Sequence, residues 1–240
     1  MSKITGVLFS LERNTMGRLL KIAIDGPAGA GKSTVAKLVA EKLGYVYIDT
    51  GAMYRAVTLQ ALMDKIDMRD ETSLTRLAES VGLVLRVDEK GNTRIVLNGV
   101  DVSFQIRTPL VSRCVSQVSQ IPGVRQRMMQ LQKDMAAGGG VVMEGRDIGT
   151  TVLPDAEMKY FLTASVEERA RRRYAELLQR GFTVTLEEVL ADMAERDYID
   201  AQRAVAPLKP APDAEIIDCT GMTVDQVVDI ITSRVSGRSG

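Results

Sequence analysis

Residues Gly26–Ser33 read Gly-Pro-Ala-Gly-Ala-Gly-Lys-Ser, and this octapeptide constrains the fold more than any other part of the chain. It matches GxxxxGK[ST]. It follows the apolar run Leu20–Asp25 and precedes an amphipathic stretch, which is the strand–loop–helix setting the motif needs. Its glycines let the backbone curl with N–H groups pointing inward at an anion. The following helix adds the positive end of its dipole. Lys32 brings a mobile charge to terminal phosphates, and the Ser33 hydroxyl is the expected Mg2+ ligand. The expected triphosphate-binding residues are Gly26, Pro27, Ala28, Gly29, Ala30, Gly31, Lys32, Ser33 and Thr34.

Five short apolar runs extend this beginning into an α/β fold. Leu20–Asp25, Tyr45–Asp49, Val141–Glu144, Met158–Leu162 and Glu215–Asp218 read as buried strands alternating with helical segments. That pattern predicts a parallel sheet covered on both faces, with ligand chemistry at its carboxyl edge. Ser33–Leu43 carries an apolar stripe and stops at Gly44. Ser165–Glu168, Thr185–Glu188 and Thr223–Gln226 each have the form of a capping box. Pro122 opens a further helix, which Gly138-Gly139-Gly140 ends.

One stretch breaks the alternation. Leu83–Val87 and Arg94–Asn98 read as hairpin strands joined by Asp88–Asn92, and Asn98-Gly99 is a second turn signal leading to a short strand at Val100–Val102. Helical patterns near Thr72–Val81 and Leu110–Gln120 flank it. Residues 65–108 are therefore expected to form a small α+β insert. Residues 1–18 read as a loosely attached extension, with Met16 as a possible start; Glu12 and Arg13 interrupt the apolar run a signal peptide needs.

Composition removes several classes of chemistry. The chain has no histidine, so histidine triads, histidine zinc sites and histidine proton shuttles are excluded. Thirty-one basic residues balance 31 acidic ones, which argues against nucleic-acid binding by bulk charge. Cys114 and Cys219 form no CxxC, consistent with a reducing compartment. No apolar run approaches the ~18 residues of a membrane span.

The loops after the strands narrow the reading from any nucleoside triphosphate protein to a small kinase. No NKxD base-reading motif of GTPases is present, and VVMEGRD stands where motor ATPases carry a strand ending in Asp-Glu. Asp49-Thr-Gly-Ala-Met-Tyr-Arg55 places a carboxylate at a strand end and an arginine on the following helix. Arg55 there is suited to a bidentate grip on phosphate or to a solvated helix face; Asp49 is suited to the pocket or to capping that helix. Arg146 and Asp147 follow the third strand and are placed to enter the cleft or to form a surface ion pair. Arg169, Arg172 and Arg173 share a helix face, beside Glu167, Glu168 and Glu176. They suit either mobile arginines closing on phosphates or a solvated charged helix. Arg196, Asp200 and Arg203 also fall on one helix face, as ligand-binding groups or as an ion-pair ladder.

In this order and at these spacings, the phosphate loop, DTGAMYR, SQV with PGVR, EGRDIGT, SVEERARRR and RAVAPL resemble bacterial cytidylate kinases from about Lys21 to the C-terminus. The resemblance implies transfer of the ATP γ-phosphoryl group to CMP or dCMP with Mg2+. The expected setting is the cytoplasm, as a monomer with no membrane or nucleic-acid partner. It also implies three parts: a core of residues 19–50, 138–164 and 205–240 with a five-stranded parallel sheet, a monophosphate-binding domain of 51–137 containing the insert, and a helical lid of 165–204. By the same resemblance Ser116, Arg125 and Asp147 read the cytosine, and Arg196 and Asp200 hold the sugar. Arg203 is tied to the nucleotide, and Thr50, Tyr54, Arg55 and Arg146 surround the monophosphate. Lys32, Arg146, Arg169, Arg172 and Arg173 are the implied catalytic residues. A carboxylate at 147 suits the cytosine amino group and an arginine at 125 suits its acceptors. Alternatives are a kinase of this fold acting on UMP, AMP or shikimate, and a switch ATPase serving a protein partner.

Overall fold

The computed structural model describes residues 19–88, 93–203 and 205–237. The expected N-terminal extension and most of the Asp88–Asn92 hairpin loop lie outside these residues. Two compact units are present. One comprises Leu20–Tyr47 with the chain from Gly139 onward, and the other comprises Ile48–Gly138.

The sheet that the apolar runs predict lies in the first unit, apart from Ile48 and Asp49, the last two residues of its second strand. Strands β1 (Lys21–Asp25), β2 (Val46–Asp49), β6 (Val141–Glu144), β7 (Met158–Thr163) and β8 (Glu215–Asp218) are ordered β2-β6-β1-β7-β8. β1 runs parallel to both β6 and β7, with Ile22 opposite Val142 and Met158. β7 runs parallel to β8. Helices α1 (Lys32–Leu43) and α8 (Val224–Ser236) bury Val35, Val39, Val227, Val228 and Ile231 with Ile22, Ile24, Val142, Tyr160 and Leu162 of the strands. The central strands β1 and β6 are buried at nearly every position, whereas β8 at the edge leaves Ile216 exposed. β1 and β6 are neighbours, so the loops after them leave the sheet at the same edge. That edge is where α/β sheets bind ligands.

Gly44 ends α1 in the left-handed conformation, donating to the Ala40 and Glu41 carbonyls, as its position predicts. Thr185 and Thr223 form complete capping boxes at the starts of α7 (Leu186–Gln202) and α8. Ser165, at the start of α6 (Val166–Gln179), forms only half of one. Its hydroxyl accepts from Glu168 N–H, but its own N–H goes to Thr220 Oγ1 and the Glu168 carboxylate is taken by Arg172. A charged partner one turn along the helix outcompetes the cap. Helices α6 and α7 share a small apolar cluster of Ala170, Leu177, Val189 and Met193, against which Ala28 packs.

The second unit holds α2 (Thr50–Met63), α3 (Glu71–Ser80), α4 (Pro109–Val118) and α5 (Pro122–Ala136) around an antiparallel sheet β3-β4-β5. β3 (Leu83–Val87) pairs with β4 (Thr93–Leu97), and β4 pairs with β5 (Val100–Asp101) across Asn98-Gly99. Both turn residues have positive φ, the geometry that makes Asn-Gly a hairpin signal. Gly123 lies so close to Thr75 that an added Cβ would fall 2.3 Å from that side chain, fixing a tight approach of α5 to α3.

Candidate active site

In the first unit the phosphate loop connects β1 to α1 with Gly26, Gly29 and Gly31 at positive φ. A Cβ at Gly26 would meet the Leu162 carbonyl of β7, and one at Gly29 would lie 2.9 Å from the Arg169 carbonyl and from Met193 Cε. The glycines are therefore needed both for the curl and for close packing of the loop on its neighbours. Lys32 is 5% exposed, and its Nζ donates to the Pro27 carbonyl at 2.7 Å, across the loop. Burial and then the positive charge of Arg146 push its pKa down to about 7, against the pull of Glu144 and Asp25. A loop that holds a lysine at this cost is poised for an anion to restore the balance. Ser33 and Thr34 lie exposed on the first turn of α1.

The loop after β6 carries Glu144, Gly145, Arg146 and Asp147. Arg146 and Asp147 are adjacent, yet they do not form the simple surface pair. Arg146 Nε donates to Asp200 Oδ2 at 2.8 Å, while Asp147 Oδ1 receives Arg203 Nη2 at 3.3 Å. Both pairs are largely buried. Burial opposes the charge of each partner in the first pair. The Asp200 carboxylate nevertheless holds Arg146 above its ordinary value, and Arg146 and Arg196 hold Asp200 below its own. The helical reading of Arg196, Asp200 and Arg203 holds for the first two only. Arg203 lies just past α7 with an extended backbone, and its Nε donates to the Ala206 carbonyl at 2.6 Å. The ion-pair ladder along the helix gives way to pairs between α7 and the loop after β6.

The arginines of α6 have three different environments. Arg169 is buried and donates to the carbonyls of Ala164 and Ala28 and to Asp197 Oδ2 at 2.7 Å, so it straps α6 and α7 to the phosphate loop. A shared solvated face therefore does not describe Arg169, because carbonyls and a carboxylate inside the fold satisfy its guanidinium. Arg172 reaches Glu168 and the Cys219 carbonyl, and Arg173 reaches Glu176.

Two residues that the motifs do not flag matter here. Asp25, the last residue of β1, is 3% exposed and accepts from the N–H groups of Ile148 and Gly149 at 2.8 and 2.7 Å. Burial raises its pKa to about 6, opposed by those two bonds and by Lys32, and assisted by Asp147. Its signal in the sequence is a carboxylate ending a buried strand. Asp197 beside Arg196 carries no signal, since its partner lies on another helix.

The second unit gathers the other expected residues. Asp49 caps α2, its Oδ1 accepting from Ala52 N–H, while its Oδ2 receives Arg107 at 3.0 Å. The capping role left open for Asp49 is thus observed, and Arg107 is a partner no local pattern announces. Thr50 is buried at the first turn of α2. Arg55 folds back over that turn: its Nη1 lies 3.4 Å from where a Cβ at Gly51 would stand. Tyr54 lies under the Arg125 guanidinium, 5.9 Å from ring centre to carbon, a cation–π arrangement. Arg125 is buried and donates to the Ser119 carbonyl at 3.2 Å, and Ser116, one turn earlier on α4, is buried as well.

Residues 22–237 match the family described as Cytidylate kinase. The chain belongs to the cytidylate kinase family. It is 57% identical to the cytidylate kinase of Pelotomaculum thermopropionicum, over 92% of this chain and 98% of that one. It is 52% identical to the cytidylate kinase of Geobacillus kaustophilus, over 94% of this chain and 100% of that one. Among solved structures, an uncharacterized protein from Eubacterium ventriosum superimposes with a TM-score of 0.50 at 16% identity, covering 91% of this chain and 99% of that one. That likeness concerns the fold alone. The fold itself is the parallel α/β sheet and phosphate loop described above. No described helix is long and apolar enough to cross a membrane.

Proposed function

We infer that this cytidylate kinase family member transfers the γ-phosphoryl group of ATP to CMP or dCMP, giving CDP or dCDP. The observation that carries the reading is the match to the family along nearly the whole chain, with relatives more than half identical in sequence. The buried charge pattern supports it: a lysine held at a cost in the phosphate loop, and two Arg–Asp pairs at the same sheet edge.

We assign the ATP phosphates to Gly26–Thr34, with Lys32 on the migrating group. Arg146 and Arg55 neutralise the acceptor phosphate beside Thr50 and Tyr54. Arg172 and Arg173 supply further charge, and Arg169 holds the phosphate loop in position. Asp147 accepts from the cytosine amino group, Arg125 donates to its ring acceptors, and Ser116 lies at the base. Arg196 and Asp200 hold the sugar, and Arg203 orients Asp147. Uracil would present a carbonyl to the Asp147 carboxylate, and mispaired buried polar groups are costly. Phosphoryl transfer passes through a loose transition state, so positioning and charge neutralisation suffice without a strong general base.

The donor set fits Mg2+. Ser33 offers one exposed hydroxyl, and no described cluster of three or more carboxylate or thiol side chains stands ready as a protein cage. Mg2+ commonly binds in this way, through few protein ligands together with phosphate oxygens and waters. When bound, it neutralises charge on the transferring phosphates. We place the reaction in the cytoplasm, in keeping with Cys114 and Cys219 both being free. Coupled ADP release with CMP, dCMP, UMP, AMP and no acceptor tests the reading. Turnover should be highest with CMP or dCMP; equal hydrolysis without acceptor would refute it.

A further inference from the structure

The loop after β6 turns sharply at Asp147, which stands at the N-cap of a five-residue π-helical turn, Ile148–Val152. An aspartate at this position normally folds its carboxylate onto the N–H groups that follow, since those donors have no partner within the turn. Asp147 does not: its side chain makes no capping bond. The N–H groups of Ile148 and Gly149 are instead taken by the two oxygens of Asp25, reaching across from the end of β1. The Asp147 carboxylate faces Arg203. Its backbone carbonyl accepts from Thr151 and Val152, so the turn is closed behind it. Gly149 completes the fit, since a Cβ there would stand 3.4 Å from Asp25 Oδ2 and 3.2 Å from Lys159 Cδ.

We propose that Asp25 is a positioning residue for acceptor choice: by capping the turn in place of Asp147, it keeps the Asp147 carboxylate pointed at the acceptor base. Without Asp25, the Gly149 N–H, at the second position of the turn, is left within the ordinary reach of its N-cap carboxylate, Asp147. Asp147 would then swing from base reader to helix cap. The effect falls on discrimination between bases, because Asp25 itself touches neither base nor phosphate in this role. This deepens the reading of Asp147 as the base-reading carboxylate and rests on it.

The test compares Asp25→Asn, Asp25→Ala and Asp147→Ala with the unaltered enzyme, using CMP, UMP and ATP as variable substrates. Asp25→Asn keeps one acceptor oxygen and sets an amide N–H against the other donor, so it removes one of two charge-assisted bonds. KM for CMP should rise about tenfold in Asp25→Asn and further in Asp25→Ala, the size of one such bond. The CMP:UMP ratio of kcat/KM should narrow in the same order, while KM for ATP stays within about threefold. A residue that merely stabilised the fold would lower use of CMP and UMP together. If Asp147→Ala narrows the ratio and the Asp25 variants do not, the proposal is wrong and the Asp147 reading stands. If Asp147→Ala leaves the ratio unchanged, the Asp147 reading itself fails. A measurement on the unaltered enzyme guards against variants that do not fold. Hydrogen exchange at the Ile148 and Gly149 amides should be slowed as strongly as at Ala23 in β1; free exchange there would overturn the proposal.

Discussion

Replacing Lys32 by methionine should lower turnover sharply while making the nucleotide-free protein more stable. The lysine ammonium is buried, and its pKa falls from an ordinary 10.5 to about 7. Burial, and then the neighbouring Arg146 charge, hold the charged form at a cost in stability. Lys32→Met removes that cost but also the bond to the Pro27 carbonyl, worth about 1.5–3 kcal/mol for a charged donor. The relieved burial cost outweighs the lost bond, so Tm rises, by about 2–4 °C for each kcal/mol in a chain of this length. The sign of the pH dependence follows from proton counting. Between about pH 7 and 10.5 the unfolded chain keeps a proton on Lys32 that the folded chain has released, so the unaltered protein gains stability as pH rises through that window. The advantage of Lys32→Met is therefore largest at and below pH 7 and fades toward pH 10. Saturating ATP with Mg2+ should reverse the order, because only the lysine protein recovers the cost by binding phosphate. Turnover should fall by about two orders of magnitude or more. Thermal unfolding without nucleotide, in a phosphate-free buffer at several pH values, reads the stability half, and a coupled assay reads the other. A mutant no more stable than the parent at pH 7, or a gap that widens with pH, refutes the account of a lysine held at a cost; near-normal turnover refutes its role on the phosphates.

Other outcomes follow from the same geometry. Arg169→Ala strands the Asp197 carboxylate and two carbonyls, and should cost about 2–4 kcal/mol in chemical denaturation, whereas Arg171→Ala, with its side chain 69% exposed, should stay within about 0.5 kcal/mol. Gly29→Ala forces a Cβ against the Arg169 carbonyl and Met193 at a φ of 74°, and should destabilise by about 1–3 kcal/mol and raise KM for ATP, both measurable on the purified variant. Asp147→Ala should lower kcat/KM for CMP at least about tenfold with a smaller loss for UMP, while Arg146→Ala should weaken all monophosphate acceptors in equal proportion in the same assay.

The local motifs were the most legible part of the chain. A phosphate loop is defined by backbone shape, and its three glycines and one lysine are all that the shape needs, so they stand together in the sequence. The strands were equally plain, because burial on both faces leaves uninterrupted apolar runs such as Ile22–Ile24 and Val141–Met143. Asn98-Gly99 and the threonine capping boxes were readable for the same reason: each satisfies its own backbone within a few residues. Family membership rested on the order and spacing of several such motifs along one chain.

What the sequence could not specify was which charges meet. Arg146 and Asp147 are neighbours in the chain, yet each pairs with a residue more than fifty positions away, Asp200 and Arg203. Arg169 belongs by spacing to a charged helix face, but the close approach of the phosphate loop makes it an internal strap. Asp25 ends a strand like several other carboxylates, and only the neighbouring placement of β1 and β6 brings it under the turn that Asp147 begins. Backbone conformation follows from short-range sterics and hydrogen bonding, which adjacent residues encode. The partners and ionisation of buried charges depend on what else is excluded from water around them, and tertiary packing alone decides that.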